Sequence, residues 1–369
     1  MSRAILAHGP QKPIHFYCSS GGNAGLACAT AAISLNRPAT IVVPTLTSPL
    51  MVEKLKMLGA DVVQLGAHWS EADAYLREEL LGRDEHGFYV PPFDHEDLWA
   101  GHGTMVDELE VQMSELGGYD AVVCSVGGGG LFSGIMLGLQ QHGRLEGGGG
   151  NRIKVMAMET EGADSLSLSL KNGRLERLPA ITSIATSLGA TQVCRRAFEC
   201  GQRAEVTNCV LSDAEAGMGS VCFADDERIL VEAACGVSVA PAYNGTLSLL
   251  LFPELSAEEF EKLNVVIVVC GGSNVTLQML EGYRTKYAKD EIVLRRFHMR
   301  LEAEGNSKDG EEGRKEVPNN GLDRIQHEKA VELEFDDKII SRPAMATLEK
   351  DEVDRQIEEH GKVVDVATQ

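Results

Sequence analysis

Residues 121–136 read AVVCSVGGGGLFSGIM. A short, largely β-branched run, Ala121 to Val126, passes directly into Gly127–Gly130 and then into a stretch of helical character from Leu131. A strand that is apolar throughout belongs in a parallel sheet covered on both faces. Glycines at its carboxyl end stand where open α/β sheets place their ligands. Four residues without Cβ let the backbone wrap an anion, and a helix that starts there aims its unpaired N–H groups and positive dipole end at that anion. The segment reads as a phosphate cup. No Lys-Ser/Thr follows the glycines, so it is not a Walker loop, and the G-x-G-x-x-G spacing of a dinucleotide turn is absent as a clean match. A flexible Gly turn is the plainer alternative.

The same alternation extends outward in both directions. IHFYC (14–18), ATIVVP (39–44), DVVQLG (61–66), IKVMAME (153–159) and NVVIVVC (264–270) read as strands, and NAGLACATAAISL (23–35) and PLMVEKLKMLG (49–59) as helices. Apolar strands between amphipathic helices make this an α/β protein. Two other strand ends carry polar groups beside glycines. Cys18-Ser19-Ser20-Gly21-Gly22-Asn23-Ala24-Gly25 offers hydroxyls, an amide and helix-start N–H groups suited to a carboxylate or a polar ring substituent. Its plainer reading is a Ser/Asn helix N-cap. Cys270-Gly271-Gly272-Ser273-Asn274 closes the run 264–270 with a thiol, which is either a buried small hydrophobe or a site residue.

The chain has 369 residues, 43% hydrophobic and 24% charged, with 34 Lys+Arg against 55 Asp+Glu for a net charge of −21. That balance argues against a cationic surface for nucleic acid or anionic lipid and for a small-molecule ligand. The nine cysteines are odd in number and mostly lie in apolar runs, as expected of reduced thiols in a cytoplasmic protein. No run approaches the roughly 18 apolar residues of a membrane span, and MSRAILAHGPQKP is too short in its apolar part for a signal peptide. Residues 302–369 hold 19 Asp/Glu and 10 Lys/Arg with few aromatics, the composition of an acidic, disordered tail. Gly147–Gly150 has no strand before it and reads as a surface loop. The expected organisation is a helix remnant at 1–13, a smaller α/β domain at 14–100, a larger one at 101–287 and the tail at 288–369.

SSGGNAG, PTLTSPLMVEKLKMLG, CSVGGGGLFSGIM, METEGADSL, TSIATSLGA and VVCGGSN occur in an order that resembles the L-serine dehydratases (serine/threonine ammonia-lyases), over about residues 13–287. The resemblance implies a two-domain pyridoxal-phosphate enzyme of the tryptophan-synthase β-like fold (fold type II). It further implies a homodimer that deaminates L-serine and L-threonine. Carried over by position, Gly127, Gly128, Gly129, Gly130 and Leu131 hold the cofactor phosphate, Asn23 faces the 3′-oxygen, and Cys270 faces the pyridine nitrogen. A thiol is a weak donor, so the nitrogen need not be protonated, which suits β-elimination better than transamination. Ser20, Gly21, Gly22, Asn23 and Ala24 receive the substrate carboxylate. Glu159, Ala163 and Ser165 match the positions that supply oxygens to a monovalent cation such as K⁺.

In the family the Schiff-base lysine stands in a Ser-Phe-Lys type motif one helix upstream of the Ser-Ser-Gly-Asn loop. This sequence starts inside that helix and contains no such motif. Lys12 leads into the first strand, and Lys54 and Lys56 fall in a later helix; none has the apolar, cofactor-facing setting that would depress an amine's pKa. Three readings follow: an enzyme whose sequence starts upstream of Met1, a lysine-less relative that binds pyridoxal phosphate or amino acid without turnover, and an interaction protein that uses its acidic tail.

Overall fold

The computed structural model describes residues 1–146 and 152–297. Strands β1 (His15–Cys18), β2 (Ala39–Val43), β3 (Asp61–Gln64) and β4 (Gly87–Tyr89) form a parallel sheet in the order β3-β2-β1-β4. Strands β5 (Ala121–Ser125), β6 (Lys154–Thr160), β7 (Val206–Leu211) and β8 (Val265–Ile267) form a second, in the order β7-β6-β5-β8. Val123 pairs with Met156 on one side and Ile267 on the other. Every residue of β2 and β5 is buried, the burial that their unbroken apolar runs require of a sheet covered on both faces.

The covering helices are α1 (Ser2–His8), α2 (Asn23–Ser34), α3 (Pro49–Met57), α4 (Trp69–Tyr75), α5 (Glu96–Gln112), α6 (Gly130–Gln141), α7 (Ser165–Asn172), α8 (Arg195–Gly201), α9 (Asp213–Glu227) and α10 (Ala233–Tyr243), followed by shorter helices and a further helix, Leu277–Tyr287. Local chemistry sets their ends. Ser48 caps α3 ahead of Pro49, and Ser212 with Glu215 forms a capping box on α9. Helix α1 buries Ala4 and Ile5 against Ile14, Phe16, Ala32 and Ala39 of the first sheet layer.

Three sequence expectations are corrected. The run 264–270 is a strand only over Val265–Ile267: after Val268 N–H bonds to Val123 O (2.8 Å), the chain leaves the sheet and Val269 is 42% exposed. Residue 100 falls within α5, which packs on α6 beside the second sheet, while the last strand of the first sheet ends at Tyr89. Residues 288–297 are not tail, since Asp290 caps a helix Glu291–Arg296, Val293 and Phe297 are buried, and Phe297 stacks on Tyr243. Strands β4 and β7 are additions to the sequence reading. The acidic stretch from residue 298 onward and the Gly147–Gly150 loop lie outside the described residues. Among the described residues no helix is long and apolar enough to cross a membrane.

Helices α5 and α6 meet backbone to backbone. A Cβ added at Gly134 would lie 2.4 Å from His102 Cβ, and one at Gly138 would lie 2.7 Å from Val106 Cβ. Gly138→Val is therefore expected to cost about 1–3 kcal/mol by overpacking, measured as a lower urea midpoint; an unchanged midpoint would show that the two helices separate freely.

Candidate functional site

All eight strands are parallel within their sheets, so β1, β5 and β8 deliver their polar ends to the carboxyl edges of the sheets. At the end of β5, Val126 N–H bonds to Met158 O (2.8 Å), and Gly127–Gly130 lead into α6. Gly129 is the N-cap, left-handed at φ +92°, and no side chain caps the first turn. The first N–H groups of α6 therefore receive no cap from the N-cap residue itself. The loop is closely packed on its outer side. An added Cβ would lie 2.9 Å from Leu188 Cα at Gly127, 2.3 Å from the Phe93 ring at Gly128, 2.3 Å from Ala197 Cβ at Gly129 and 2.8 Å from Phe93 O at Gly130. These contacts, and not looseness, account for the four glycines.

At the end of β1, Ser19 is fully buried and its hydroxyl donates to Asp73 Oδ1 (2.6 Å). Tyr89 OH donates to the same oxygen (2.8 Å), and Arg77 Nε donates to Asp73 Oδ2 (2.8 Å). Burial pushes the Asp73 carboxyl up, but the donors Ser19, Arg77 and Tyr89 outweigh it and hold the group below the usual carboxylate value. This network anchors the loop Ser20–Ala24. Gly25 has no alternative, since a Cβ there would lie 1.9 Å from Ser20 O. The Ser/Asn N-cap reading is replaced: Gly22 is the N-cap of α2, without a side-chain bond, and Ser20 Oγ accepts from Gly22 N–H (3.3 Å). The Asn23 side chain instead reaches loops of the second sheet. Its Nδ2 donates to Glu232 Oε1 (3.0 Å), and its Oδ1 accepts from Ser273 N–H (2.9 Å).

At the end of β8, Cys270 is exposed as a residue, but its thiol is turned into the protein and lies 3.6 Å from Ser125 Oγ. A hydrogen bond from the Cys235 thiol, with a smaller one from Ser125, lowers the Cys270 thiol to about 7 against the opposing effect of burial, and the same contact raises Cys235. Lys12 and Lys56 are exposed, as their sequence reading holds. Lys54 differs: its Nζ donates to both Ser273 O and Ser273 Oγ at 2.7 Å, so it reaches the loop that also bonds Asn23.

Glu159 is fully buried where β6 leads into α7. Its carboxylate accepts from Leu166 N–H (2.8 Å), Ser167 N–H (2.8 Å) and Asn208 Nδ2 (3.0 Å), and burial pushes its pKa up to about 7. Ala163 and Ser165 are buried in the same turn, and Ser165 Oγ has no hydrogen-bond partner among the described residues.

The sequence reading missed Glu232 and Phe93, and it named Lys54 only to set it aside. Glu232 precedes an alanine-rich helix with no motif around it, and Phe93 lies in a Pro-rich connection. Only a carboxylate ahead of a buried helix hinted at the former.

Residues 1–271 match the family described as pyridoxal-phosphate dependent enzyme, and the chain belongs to it. Two parallel sheets, with a glycine cup at one strand end and polar loops at the others, accord with the fold type II, tryptophan-synthase β-like architecture of that family. The chain is 43% identical over 270 residues to an L-serine dehydratase of Saccharomyces cerevisiae, covering 71% of this chain and 78% of the relative. To the serine dehydratase-like protein of Homo sapiens it is 41% identical over 276 residues, covering 73% and 79%. Among solved structures it is similar to a fungal L-serine ammonia-lyase from Rhizomucor miehei, with 32% identity, TM-score 0.68 and coverage of 78% of this chain and 86% of that one. A threonine deaminase from Solanum lycopersicum follows at 25% identity and TM-score 0.63, covering 77% of each chain.

A thiolate is the reactive form of cysteine. Iodoacetamide is therefore expected to label Cys270 with a midpoint near pH 7, well before the buried Cys124 and Cys200, whose pKa values burial raises. Peptide mass spectrometry against pH reads this out, and an ordinary midpoint above pH 8 would remove the Cys235 effect.

Proposed function

We propose that this protein binds pyridoxal phosphate and an amino acid and removes water from L-serine, and from L-threonine, to give the 2-oxo acid and ammonia. The observation that carries the reading is the convergence of Asn23, Ser187 and the 270–274 loop on Glu232, next to a glycine cup with no side-chain cap. Its likeness to L-serine dehydratases at 43% identity supports the substrate class. The residues fit the cofactor: the cup is a cradle that any Cβ would disturb, and its helix-start N–H groups suit a phosphate. Gly127, Gly128, Gly129, Gly130 and Leu131 would hold that phosphate, Asn23 the 3′-oxygen and Cys270 the ring nitrogen. When bound, pyridoxal phosphate supplies an aldehyde for the substrate amino group and a ring that takes up the electron pair left at Cα. The Ser20–Ala24 loop receives the substrate carboxylate at the start of α2 and so fixes which bonds at Cα face the ring. Cys270 would stand at the ring nitrogen, where its thiol, a weak donor, would supply no proton to that nitrogen. The reading includes a cytoplasmic homodimer of this chain.

A second reading is binding without turnover, which holds if none of the lysines in this sequence forms an imine with the cofactor. Loss of one general base typically costs about 10²–10⁴-fold in rate. Incubating the 369-residue chain with pyridoxal phosphate, reducing with borohydride and mapping pyridoxyl-lysine, with pyruvate assayed from L-serine, separates the two readings. Bound cofactor with pyruvate formed supports the first reading, bound cofactor without pyruvate supports the second, and a label on Lys54 with turnover would make that amine the lysine of the reaction. Gly128→Asp should abolish binding, and unchanged affinity would remove the phosphate assignment.

We also propose that Glu159, Ala163 and Ser165 hold a monovalent cation, supported by the buried carboxylate and the unpartnered Ser165 hydroxyl. K⁺ should raise Tm above that in Li⁺ at equal ionic strength, and Glu159→Gln should erase the difference. Equal Tm values in the two salts would remove the cation.

A further inference from the structure

Glu232 gathers donors from three separate segments. Its Oε1 accepts from Asn23 Nδ2 (3.0 Å) and Asn274 N–H (2.7 Å), and its Oε2 accepts from the Ser187 hydroxyl. Its own N–H bonds to Gly271 O (2.9 Å). Gly272, left-handed at φ +99°, lies so close that an added Cβ would stand 2.4 Å from Glu232 Cδ. The residue is only 6% exposed and is the N-cap of α10, yet its side chain makes no capping bond. A carboxylate that serves only its own helix would turn back to it.

The segments it joins are those that face the proposed ligand. Asn23 stands at the start of α2, Ser187 adjoins Leu188 at the back of the glycine cup, and Gly271–Asn274 follow Cys270. The Asn23 amide is fixed at both ends, because Ser273 N–H occupies Oδ1 and Glu232 takes one Nδ2 proton. The second proton has only a long, 3.4 Å contact with Ser187 Oγ and remains for an incoming oxygen. Without Glu232 only the Ser273 N–H bond to Oδ1 sets which way that amide turns.

We propose that Glu232 is the positioning residue of this site: it orients the Asn23 amide toward the cofactor 3′-oxygen and locks the 187 and 271–274 loops to it. This rests on the cofactor reading above. The demand is geometric. In Glu232→Gln the side-chain oxygen still serves Asn23 and Asn274, and the Ser187 hydroxyl turns to accept from the new NH₂. In Glu232→Asp the shorter arm cannot reach Asn23 and Asn274 together, and in Glu232→Ala both acceptors are gone.

The test titrates full-length chains with pyridoxal phosphate, reading affinity by fluorescence and the absorption band of the bound cofactor, alongside Tm and hydrogen exchange at residues 20–24 and 271–274. Glu232→Gln should keep the unmodified band and affinity. Glu232→Asp and Glu232→Ala should shift the band, raise exchange in both segments and weaken binding about 10-fold or more, the low end for losing a supporting partner. Should the Ala variant fail to fold, the Asp variant carries the comparison. A lowered Tm with an unmodified band and exchange would overturn the proposal, because a helix-capping role alone behaves that way, and so would a Gln variant as impaired as Asp. If the unmodified chain binds no cofactor, the functional reading fails by itself, while the exchange data still decide whether Glu232 orders the loops.

Discussion

Parallel strands all finish at the same edge, and this single constraint assembles the cleft. Because β1, β5 and β8 point the same way within their sheets, the residues that follow them (Ser19 to Asn23, Gly127 to Gly130, and Cys270 to Asn274) come off the sheets at carboxyl edges. None of these segments can satisfy its polar groups within a sheet. They satisfy one another instead, through Asn23 to Ser273 and Glu232, Lys54 to Ser273, and Ser125 to Cys270. Buried or half-buried polar groups in such a network must all be paired, since an unpaired one costs about 1–3 kcal/mol.

Rigidity comes from close packing behind the loops. Helices α5 and α6 approach through Gly134 and Gly138, and α9 and α10 through Gly236, where a Cβ would lie 2.1 Å from Ala216 O. Small residues along those faces exchange side-chain volume for backbone contact, which leaves little slack in the elements that carry the site. The Asp73 network does the same for the first sheet, holding Ser19 from α4 and β4 at once.

The parts legible in the sequence were those with a local signature. An apolar run ending in glycines announced β5 and its cup, and alternating strands and helices announced the α/β class and, with the order of six motifs, the family. Other parts had none. Strand β4 has only three residues and β7 carries Thr and Asn among its apolar positions, so neither stands out by period. The run 264–270 looked like a long strand because composition cannot reveal where hydrogen bonding stops. Glu232 and Lys54 act across 209 and 219 residues of chain, and such partners are set by topology and not by neighbours. Asn23 sat in a stretch that fits a helix cap equally well, and only the structure shows its amide bonded to Ser273 and Glu232 instead.

The contact between Gly128 and the Phe93 ring bears on how this protein can vary over time. Any replacement of glycine adds at least a Cβ, which here would arrive 2.3 Å from the ring. No single substitution at 128 is neutral while Phe93 stays in place, and shrinking Phe93 first opens a void beside the cup. Drift at either position is thus tied to the other: compatible changes must arrive as a pair, through an intermediate less fit than both ends.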